Sequence, residues 1–441
     1  MLPTDRGRRG VTSAPPRASA STPVVPTRDE LRRLIRAIET RPATPRPAVP
    51  APPPRMAVEA TLPGRWKRVD GSLYVRDEAL DLTHEHGTTP FAPLTETSAA
   101  LLTLLGGSEL DGVVVDDLLF LDIETTGLGG AGAMVFLVTT AWLTAGGLRF
   151  RQYLAGSPAD EAALLARLLA DIRASHDAPV LVTYNGRAFD APMLDQRATM
   201  HRLRGAFEAM PHLDLLAPVR RGFRGALPSC RLAVVEERLL GVTRPAHEVA
   251  GGDVPTWYFR YLRTLDARHL LPLVTHNADD VLSLAALLAR FAILNAGSPG
   301  HGIEHLALGR LHASAGNAGR AASHLDAARA RLDPSIARDE CLFALAMLHR
   351  RNHRIDLAIP LWQEIAARPG APAARALVEI AKHLEHTERD YDGALQQVER
   401  AIAGLGSAPA LLHRRDRLAR KATRTPSSIT IGSASAAPTS A

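Results

Sequence analysis

Two acidic residues, separated by a single residue, lie at the end of the most apolar stretch of the chain, in the segment DIETTG (residues 122–127). Side chains alternate between the two faces of a strand, so Asp122 and Glu124 are expected to point the same way. Two carboxylates on one face of a buried strand repel each other and lose hydration, which cations must compensate. Oxygen ligands of this kind suit magnesium or manganese rather than zinc. The alternative is a solvated strand end whose acidic residues do no chemistry.

Two further acidic residues have less specific surroundings. Asp190 follows a strand pattern and Gly186 at a predicted helix start, where an aspartate is a common helix cap. Asp280 is predicted to open another helix, and the neighbouring Asp279 is the alternative acid at that place. His276 precedes Asp280 by four residues and shares its helical face if the helix begins early enough. A neutral histidine suits general-base catalysis near pH 7, whereas the alternative is a histidine that caps the helix.

The motifs DIETTG, YNGRAFD and HNADDVLSL occur in this order and resemble the three exonuclease motifs of the DnaQ-like, or DEDD, superfamily. The chain is most similar to the YprB-type ribonuclease H-like branch of that superfamily, and the resemblance covers roughly residues 60–295. Two further stretches are typical of the branch: Ser229–Leu232 with Glu236, and Gly251–Pro255 followed by an aromatic run.

The resemblance implies that Asp122 and Glu124 form the first motif, Asp190 the second and Asp280 the third. In this superfamily a tyrosine four residues or a histidine five residues before the last aspartate helps to activate water. His276 stands at the tyrosine spacing, so its role as the base stays open. The residues expected to contact the substrate flank the first two motifs: Thr125, Gly127, Asn185 and Arg187.

The implied reaction is hydrolysis of phosphodiester bonds from the 3′ end of single-stranded DNA or RNA. Two Mg²⁺ or Mn²⁺ ions about 4 Å apart would clamp the attacking and leaving oxygens. Asp122 would bridge both ions, Glu124 and Asp280 would bind the first, and Asp190 would bind the second directly or through water. This assignment makes the protein a metal-dependent 3′–5′ exonuclease.

Two other functions remain open. The chain could be a nucleic-acid-binding protein whose nuclease site is vestigial, although the presence of all four acidic residues argues against that. It could also act as an adaptor that brings a protein partner to the nuclease through helical repeats, which typically bind peptides on a concave face. Cleavage that survives removal of the chain beyond residue 300 would assign the repeats to recruitment or stability.

The element pattern predicts an α/β fold. Near-continuous apolar sequence over Val113–Ile123 indicates a buried central strand. Two strands joined by a Gly146-Gly147 turn follow, then a helix over residues 160–174 and a short strand at Val180–Tyr184. This order is typical of a mixed sheet flanked by helices, as the resemblance to ribonuclease H-like proteins also implies.

The domain organisation follows from changes in composition. Residues 1–55 are rich in Pro and Arg and are predicted to be disordered, with a short amphipathic helix at Asp29–Glu39. Residues 60–117 are predicted to be a small lead-in without chemistry, and residues 118–297 the nuclease domain. Residues 300–411 are predicted to form helical repeats, and residues 412–441 a basic and then low-complexity tail.

The repeat prediction depends on spacings near 36 residues. Leu311-His312, Leu348-His349 and Lys382-His383 recur 37 and 34 residues apart. Ala321, Ala358 and Ala394 each begin a second helical run and recur 37 and 36 residues apart. Helix–turn–helix units near this period resemble tetratricopeptide repeats, and the alternative is a plain helical bundle.

Composition limits the class of protein. The chain of 441 residues has a net charge of +6. Residues 1–55 hold 11 Arg against 4 acidic residues, and residues 414–424 hold 6 basic residues against one, which gives +7 and +5 and leaves −6 for the rest. The basicity therefore belongs to the ends of the chain and says little about a binding groove.

The two cysteines, Cys230 and Cys341, lie far apart, which excludes a disulfide framework and is typical of a reducing compartment. No apolar run approaches the length that spans a bilayer, and the N-terminus lacks the apolar stretch of a secretory signal. We therefore expect a cytoplasmic protein without a membrane partner.

Overall fold

The computed structural model describes residues 56–127, 129–130, 132–204, 207–244, 251–297, 300–406 and 408–424, together with Asp29. The predicted disordered segment 1–55, its helix Asp29–Glu39 apart from Asp29 itself, and the low-complexity sequence after Thr425 lie outside the described residues. No helix in the described ranges is long and apolar enough to cross a membrane.

The strands are β1 (Trp66–Asp70), β2 (Leu73–Leu80), β3 (Glu85–His86), β4 (Thr89–Pro90), β5 (Leu118–Thr125), β6 (Val135–Thr144), β7 (Gly147–Ala155), β8 (Val180–Thr183) and β9 (His212–Asp214). The helices among and just after them are α1 (Val58–Thr61), α2 (Ala99–Gly106), α3 (Glu161–Ser175), α4 (Asp190–Met200), α5 (Leu216–Phe223), α6 (Leu232–Val235), α7 (Val254–Thr264) and α8 (Leu271–Asn295). The remaining helices are α9 (Gly302–Ser314), α10 (Ala318–Arg331), α11 (Ile336–Arg351), α12 (Ile355–Ala366), α13 (Ala371–His383), α14 (Tyr391–Leu405) and α15 (Pro409–Ala422).

Seven strands form one mixed sheet in the order β1-β2-β7-β6-β5-β8-β9. β5 pairs antiparallel with β6 and parallel with β8, and β8 is also parallel to β9. The predicted α/β fold, a mixed sheet flanked by helices, is confirmed. The segment 60–117 departs from its description as a lead-in, because its strands β1 and β2 extend the sheet by pairing with β7.

The alternation of side chains along β5 explains why it lies in the middle of the sheet. Leu119, Leu121 and Ile123 are buried in one hydrophobic cluster, whereas Leu118 and Phe120 are buried in another. Apolar residues on both faces require cover on both sides. The face of Phe120 continues into the two carboxylates of the first motif, so those carboxylates project toward the layer that covers this face.

The long helix α8 covers the face of β5 that carries Phe120. Its residues Val281, Leu284 and Leu288 are buried in the same cluster as Phe120. The prediction that Asp280 opens a helix is wrong: α8 begins nine residues earlier, at Leu271. Pro272, a residue favoured in the first helical turn, is the start signal that the sequence interpretation passed over.

Helices α9 to α15 form the predicted helical region. Each of these helices packs on the next along the chain, and α12 and α14 follow α11 and α13 as second members of pairs. Ala321, Ala358 and Ala394 occupy the fourth positions of α10, α12 and α14 and are fully buried. A small, buried residue thus recurs at the same position of each second helix.

The prediction of a basic tail from residue 412 is wrong up to residue 422, because these residues belong to helix α15. Its basic side chains face an acidic partner: Arg414, Arg417 and Lys421 each contact Glu385 at 2.8 to 2.9 Å. The Glu385 side chain is fully buried, so these three positive charges of α15 form ion pairs within the fold.

Helix α9 packs tightly against α5 and joins the helical region to the sheet domain. A Cβ atom on Gly222 would stand 2.8 Å from the Cβ and 3.1 Å from the Cα of Ala307. Arg310 donates to the carbonyl oxygens of Gly222 and Arg224 at 3.1 and 2.9 Å. A glycine is therefore needed at position 222 for the two helices to meet.

We expect Gly222→Ala to lower the free energy of unfolding by about 1–3 kcal/mol, because overpacking forces the α5 and α9 backbones apart. Gly319→Ala is the matched control, since nothing lies within 4 Å of a Cβ at that helical glycine. The control should leave stability unchanged or raise it by up to ~1 kcal/mol. Urea denaturation of the full chain measures both, and equal effects would contradict this packing.

Candidate active site

Asp122 is held by a chain of hydrogen bonds that crosses the sheet. The Nδ2 of Asn277 donates to Asp122 Oδ2 at 2.6 Å, and the Thr139 hydroxyl donates to Asn277 Oδ1. Gln152 Nε2 donates to Thr139 Oγ1 at 3.0 Å, and Arg76 Nη1 donates to Gln152 Oε1 at 3.2 Å. Asn277, Thr139 and Gln152 are fully buried. The first carboxylate is thus fixed by residues of β2, β6, β7 and α8.

Asp190 reaches the same place from the neighbouring strand. Because β8 runs parallel to β5 and ends at Thr183, the segment that follows it leaves the sheet at the edge where β5 also ends. A Cβ atom on Gly186 would stand 2.7 Å from Asp190 Oδ2 and 2.5 Å from Thr183 Oγ1. Only glycine leaves room for the carboxylate there.

Asp214 orders the segment that carries the second motif. Its carboxylate accepts from the backbone N–H groups of Asn185, Arg187 and Leu216 at 2.8, 3.3 and 3.1 Å. Asn185 has a φ of 72°, a left-handed conformation that asparagine tolerates better than most residues. Asp214 therefore fixes the loop that leads from β8 to Asp190.

α8 contributes two side chains next to the carboxylates of β5. His276 Nε2 lies 3.9 Å from Glu124 Oε1 and 3.8 Å from Asp280 Oδ2. Since α8 is continuous over this stretch, His276 and Asp280 do lie on one helical face, one turn apart. The side chains of Glu124 and Asp280 are only 13% and 16% exposed.

The four carboxylates share one electrostatic environment. Burial raises the pKa of Asp122 well above its usual value, and the charges of Asp190, Asp280 and Glu124 raise it further. Burial is also the main reason why the pKa values of Glu124 and Asp190 rise to about 7, with Asp280 adding to both. The structure therefore brings together the four acidic residues that the three motifs predicted.

Asp279, the alternative to Asp280, lies close to the site. Burial and then the charge of Asp280 raise the pKa of Asp279 to about 6. Asp280, in contrast, contacts His276 and contributes to the raised pKa values of Asp122, Glu124 and Asp190. The geometry favours Asp280 as the member of the four-carboxylate group.

Glu236 and Arg244 form an ion pair that the motif analysis did not place at the site. Glu236 is fully buried and binds Arg244 through both carboxylate oxygens, at 2.8 Å for Nη2–Oε1. Ser283 also donates to Glu236 Oε1, at 2.5 Å. Arg244 Nη2 then donates to Asp280 Oδ1 at 2.6 Å. The positive charge of Arg244, and that of His276 when it is protonated, oppose the burial that raises the pKa of Asp280.

The contact with Arg244 fixes the tautomer of a neutral His276. Arg244 Nη1 lies 3.1 Å from His276 Nδ1. A guanidinium can only donate, so Nδ1 accepts and the imidazole proton resides on Nε2. In this arrangement the nitrogen that faces Glu124 and Asp280 is a donor, so the general-base role of His276 stays a prediction.

The predicted substrate-binding residues occupy different settings. Thr125 is buried and donates to the carbonyl of Gly127 at 2.8 Å, which closes the turn after β5. Asn185 is exposed at the end of β8. The guanidinium of Arg187 points to Glu109 Oε2 at 3.0 Å and the His212 carbonyl at 2.6 Å. Their contacts with a substrate stay a prediction.

The donor set fits a hard divalent cation. Among the described residues, no three His, Cys, Asp or Glu side chains lie close enough together to hold a metal ion in their present positions. Arg244, instead, supplies positive charge at Asp280. Burial, and then the neighbouring carboxylates, raise the pKa values of Asp122, Glu124 and Asp190. Carboxylate oxygens with one nearby imidazole suit Mg²⁺ or Mn²⁺.

Residues 119–292 match the RNase_H superfamily. The chain is also 29% identical over 349 residues to a protein of Bacillus subtilis (strain 168) named "Uncharacterized protein YprB". That match covers 76% of this chain and 81% of the relative. The predicted likeness to YprB and the ribonuclease H-like fold are confirmed.

Without divalent ions, we expect the buried carboxylates to make stability depend on pH. Their folded pKa values are raised, so the folded state holds more protons between the usual carboxylate range near pH 4 and about pH 7. The free energy of unfolding therefore falls as pH rises through that window. Asp190→Asn removes one such group and should flatten the fall in Tm between pH 5 and pH 8 in EDTA.

The control for this experiment is Asp326→Asn, at an exposed position of α10, which should keep the wild-type pH dependence. Thermal unfolding followed by circular dichroism measures all three proteins. Identical pH dependence of wild type and Asp190→Asn would show that Asp190 is not part of a repelling cluster.

Proposed function

We propose that this protein is a metal-dependent nuclease that acts as a 3′–5′ exonuclease on single-stranded DNA or RNA, because its residues 119–292 match the RNase_H superfamily. The observation that supports the proposal most directly is the group of four carboxylates from β5, α4 and α8 whose charges raise one another's pKa values. Structural carboxylates are normally paired with cations and have lowered pKa values, so this group suits a cation-binding site.

Two divalent ions would be held by four residues: Asp122, Glu124, Asp190 and Asp280. When bound, such ions lower the pKa of a water molecule and stabilise the oxygens that enter and leave the phosphorus. The protein supplies the positions of the oxygens. Asn277 holds Asp122, Gly186 leaves room for Asp190, and the continuous helix α8 aligns Asp280 with His276.

Arg244 would leave Asp280 Oδ1 if both oxygens of that carboxylate bound cations. Glu236 would still hold the guanidinium of Arg244, because Glu236 is buried and accepts two hydrogen bonds from it. We propose that Arg244 then stays beside the site as a fixed positive charge facing the phosphate. Its departure from Nδ1 of His276 also permits the tautomer that a general base requires.

The helical region is proposed to bind a protein partner, by its likeness to tetratricopeptide repeats. Removal of the chain beyond residue 300 would also remove Ala307 and Arg310, which pack on α5. Loss of activity after that truncation would therefore report damage to the sheet domain as well as loss of recruitment.

Asp122→Asn is expected to reduce cleavage by at least about a thousandfold, since metal activation contributes several kcal/mol to the rate and each 1.36 kcal/mol is tenfold. The fold should persist, because the asparagine can still accept from Asn277. Cleavage of 5′-labelled DNA and RNA oligonucleotides with Mg²⁺, Mn²⁺ or EDTA measures the effect, and Asp326→Asn is the control.

Undiminished cleavage by purified Asp122→Asn in magnesium would refute the assignment of the site. Absence of cleavage by the wild type under all metal conditions, with nucleic acid still bound, would favour the alternative of a binding protein with a vestigial site.

The direction of attack has its own test. Phosphorothioate linkages at the 3′ end are expected to protect a 5′-labelled strand, whereas the same linkages at the 5′ end leave the shortening ladder unchanged. The modified sulfur weakens binding of a hard cation at the scissile phosphate. Cleavage of a circular single strand would instead show internal cutting and contradict the exonuclease proposal.

A further inference from the structure

A pocket of about 570 Å³ opens beside the second motif. Tyr184 and Asn185 form one wall, and the segment 224–232 forms the other. Three of its lining residues are arginines, Arg220, Arg224 and Arg231, and none of the described lining residues is acidic. The chain between its basic ends carries a net charge of −6, so this concentration of positive charge is local.

The three arginines differ from the other basic side chains nearby. All three are exposed, and none makes a side-chain ion pair or hydrogen bond with another described residue. In contrast, Arg221 donates to the carbonyl of Leu105, and Arg310 to that of Arg224. Within the described ranges the side chains of the pocket arginines thus have no ion-pair or hydrogen-bond partner, and a guanidinium matches the geometry of a phosphate group.

The two walls of the pocket are joined to each other. The hydroxyl of Tyr184 donates to the carbonyl of Cys230 at 2.6 Å, which fixes the segment 224–232 against the end of β8. Arg310 holds the carbonyl of Arg224 from α9 at 2.9 Å. Arg224 and Arg231 therefore stand on backbone that is anchored on both sides, and Arg220 lies on helix α5.

The same walls lead to the carboxylate group. From Asn185 the chain passes Gly186, whose Cα packs against Asp190. From Arg231, which precedes α6, the chain leads to Glu236, and Glu236 holds the Arg244 that contacts Asp280. Two residues that line the pocket, Asn185 and Arg231, thus precede Asp190 and Glu236 by five positions each.

We infer that this pocket binds the phosphate backbone of the substrate strand, with Arg220, Arg224 and Arg231 contacting phosphates next to those at the carboxylates. The inference rests on the proposed function, because a nuclease site at Asp190 is what brings a strand to this pocket. Recognition through phosphates applies to DNA and RNA alike.

The test measures binding by the full-length protein to a 5′-fluorescent 20-nucleotide single strand, as DNA and as RNA, by anisotropy in EDTA. For a single strand, each phosphate contact contributes about −0.7 to the slope of log affinity against log salt. Replacing Arg220, Arg224 and Arg231 by glutamine should make the slope shallower by about 2. The wild type should then lose about 20-fold more affinity than the variant between 50 and 200 mM salt.

Two controls accompany the triple glutamine variant. Arg→Lys at the same three positions keeps the charge and should keep the salt slope. Arg263→Gln, an exposed position on α7, whose tyrosines lie in the cluster on the other face of the sheet, should behave as the wild type. Thermal unfolding checks that each variant is folded.

A triple glutamine variant with the wild-type affinity and salt slope would overturn the inference, as would an equal loss in Arg263→Gln. Loss confined to the DNA or the RNA strand would also overturn it, since sugar or base contacts would then be responsible. The assay needs no cleavage, so a shallower slope in a protein that cuts nothing would refute the proposed function alone. Cleavage with an unchanged slope would refute this inference alone.

Discussion

Repulsion among buried carboxylates is the constraint around which the central part of this molecule is arranged. Asp122 and Glu124 lie on a strand face that α8 covers, and their hydration is largely lost there. The fold adds two more acids, Asp190 and Asp280, where an apolar core would normally continue. Among the described contacts, Asn277, Arg244, His276 and the backbone hydrogen bonds at Asp190 and Ile123 oppose the rise of the carboxylate pKa values. Bound protons or cations would therefore relieve the repulsion within this group.

The elements that carry these residues were largely predictable from the sequence. Apolar runs gave the order of the central strands, and the two-residue period placed Asp122 and Glu124 on one face. The start of α8 was misjudged because the periodicity around Asp280 outweighed the signal of Pro272. The sheet edge was missed as well, since the alternation in β1 and β2 says nothing about which strand they pair with.

The ion pair of Glu236 with Arg244 shows where sequence reasoning stops. No helical or strand period relates the two residues, which are eight positions apart across the turn after a π-helical segment. The motifs relate Glu236 only to the stretch Ser229–Leu232, and its neighbours Glu237 and Arg238 are charged and exposed. Similarly, the spacing of Ala321, Ala358 and Ala394 predicted paired helices. It could not show that α9 packs against Gly222 of the sheet domain.

The hydrogen bonds that lead from Arg76 to Asp122 have a single possible polarity. A guanidinium cannot accept, so the amide of Gln152 must turn its oxygen toward Arg76 and its nitrogen toward Thr139. The hydroxyl of Thr139 then donates to the side-chain oxygen of Asn277, and the side-chain nitrogen of Asn277 donates to Asp122. A permanent charge on β2, in a segment expected to be inert, thereby sets the orientation of every dipole along the route and ensures that the first carboxylate always meets a donor.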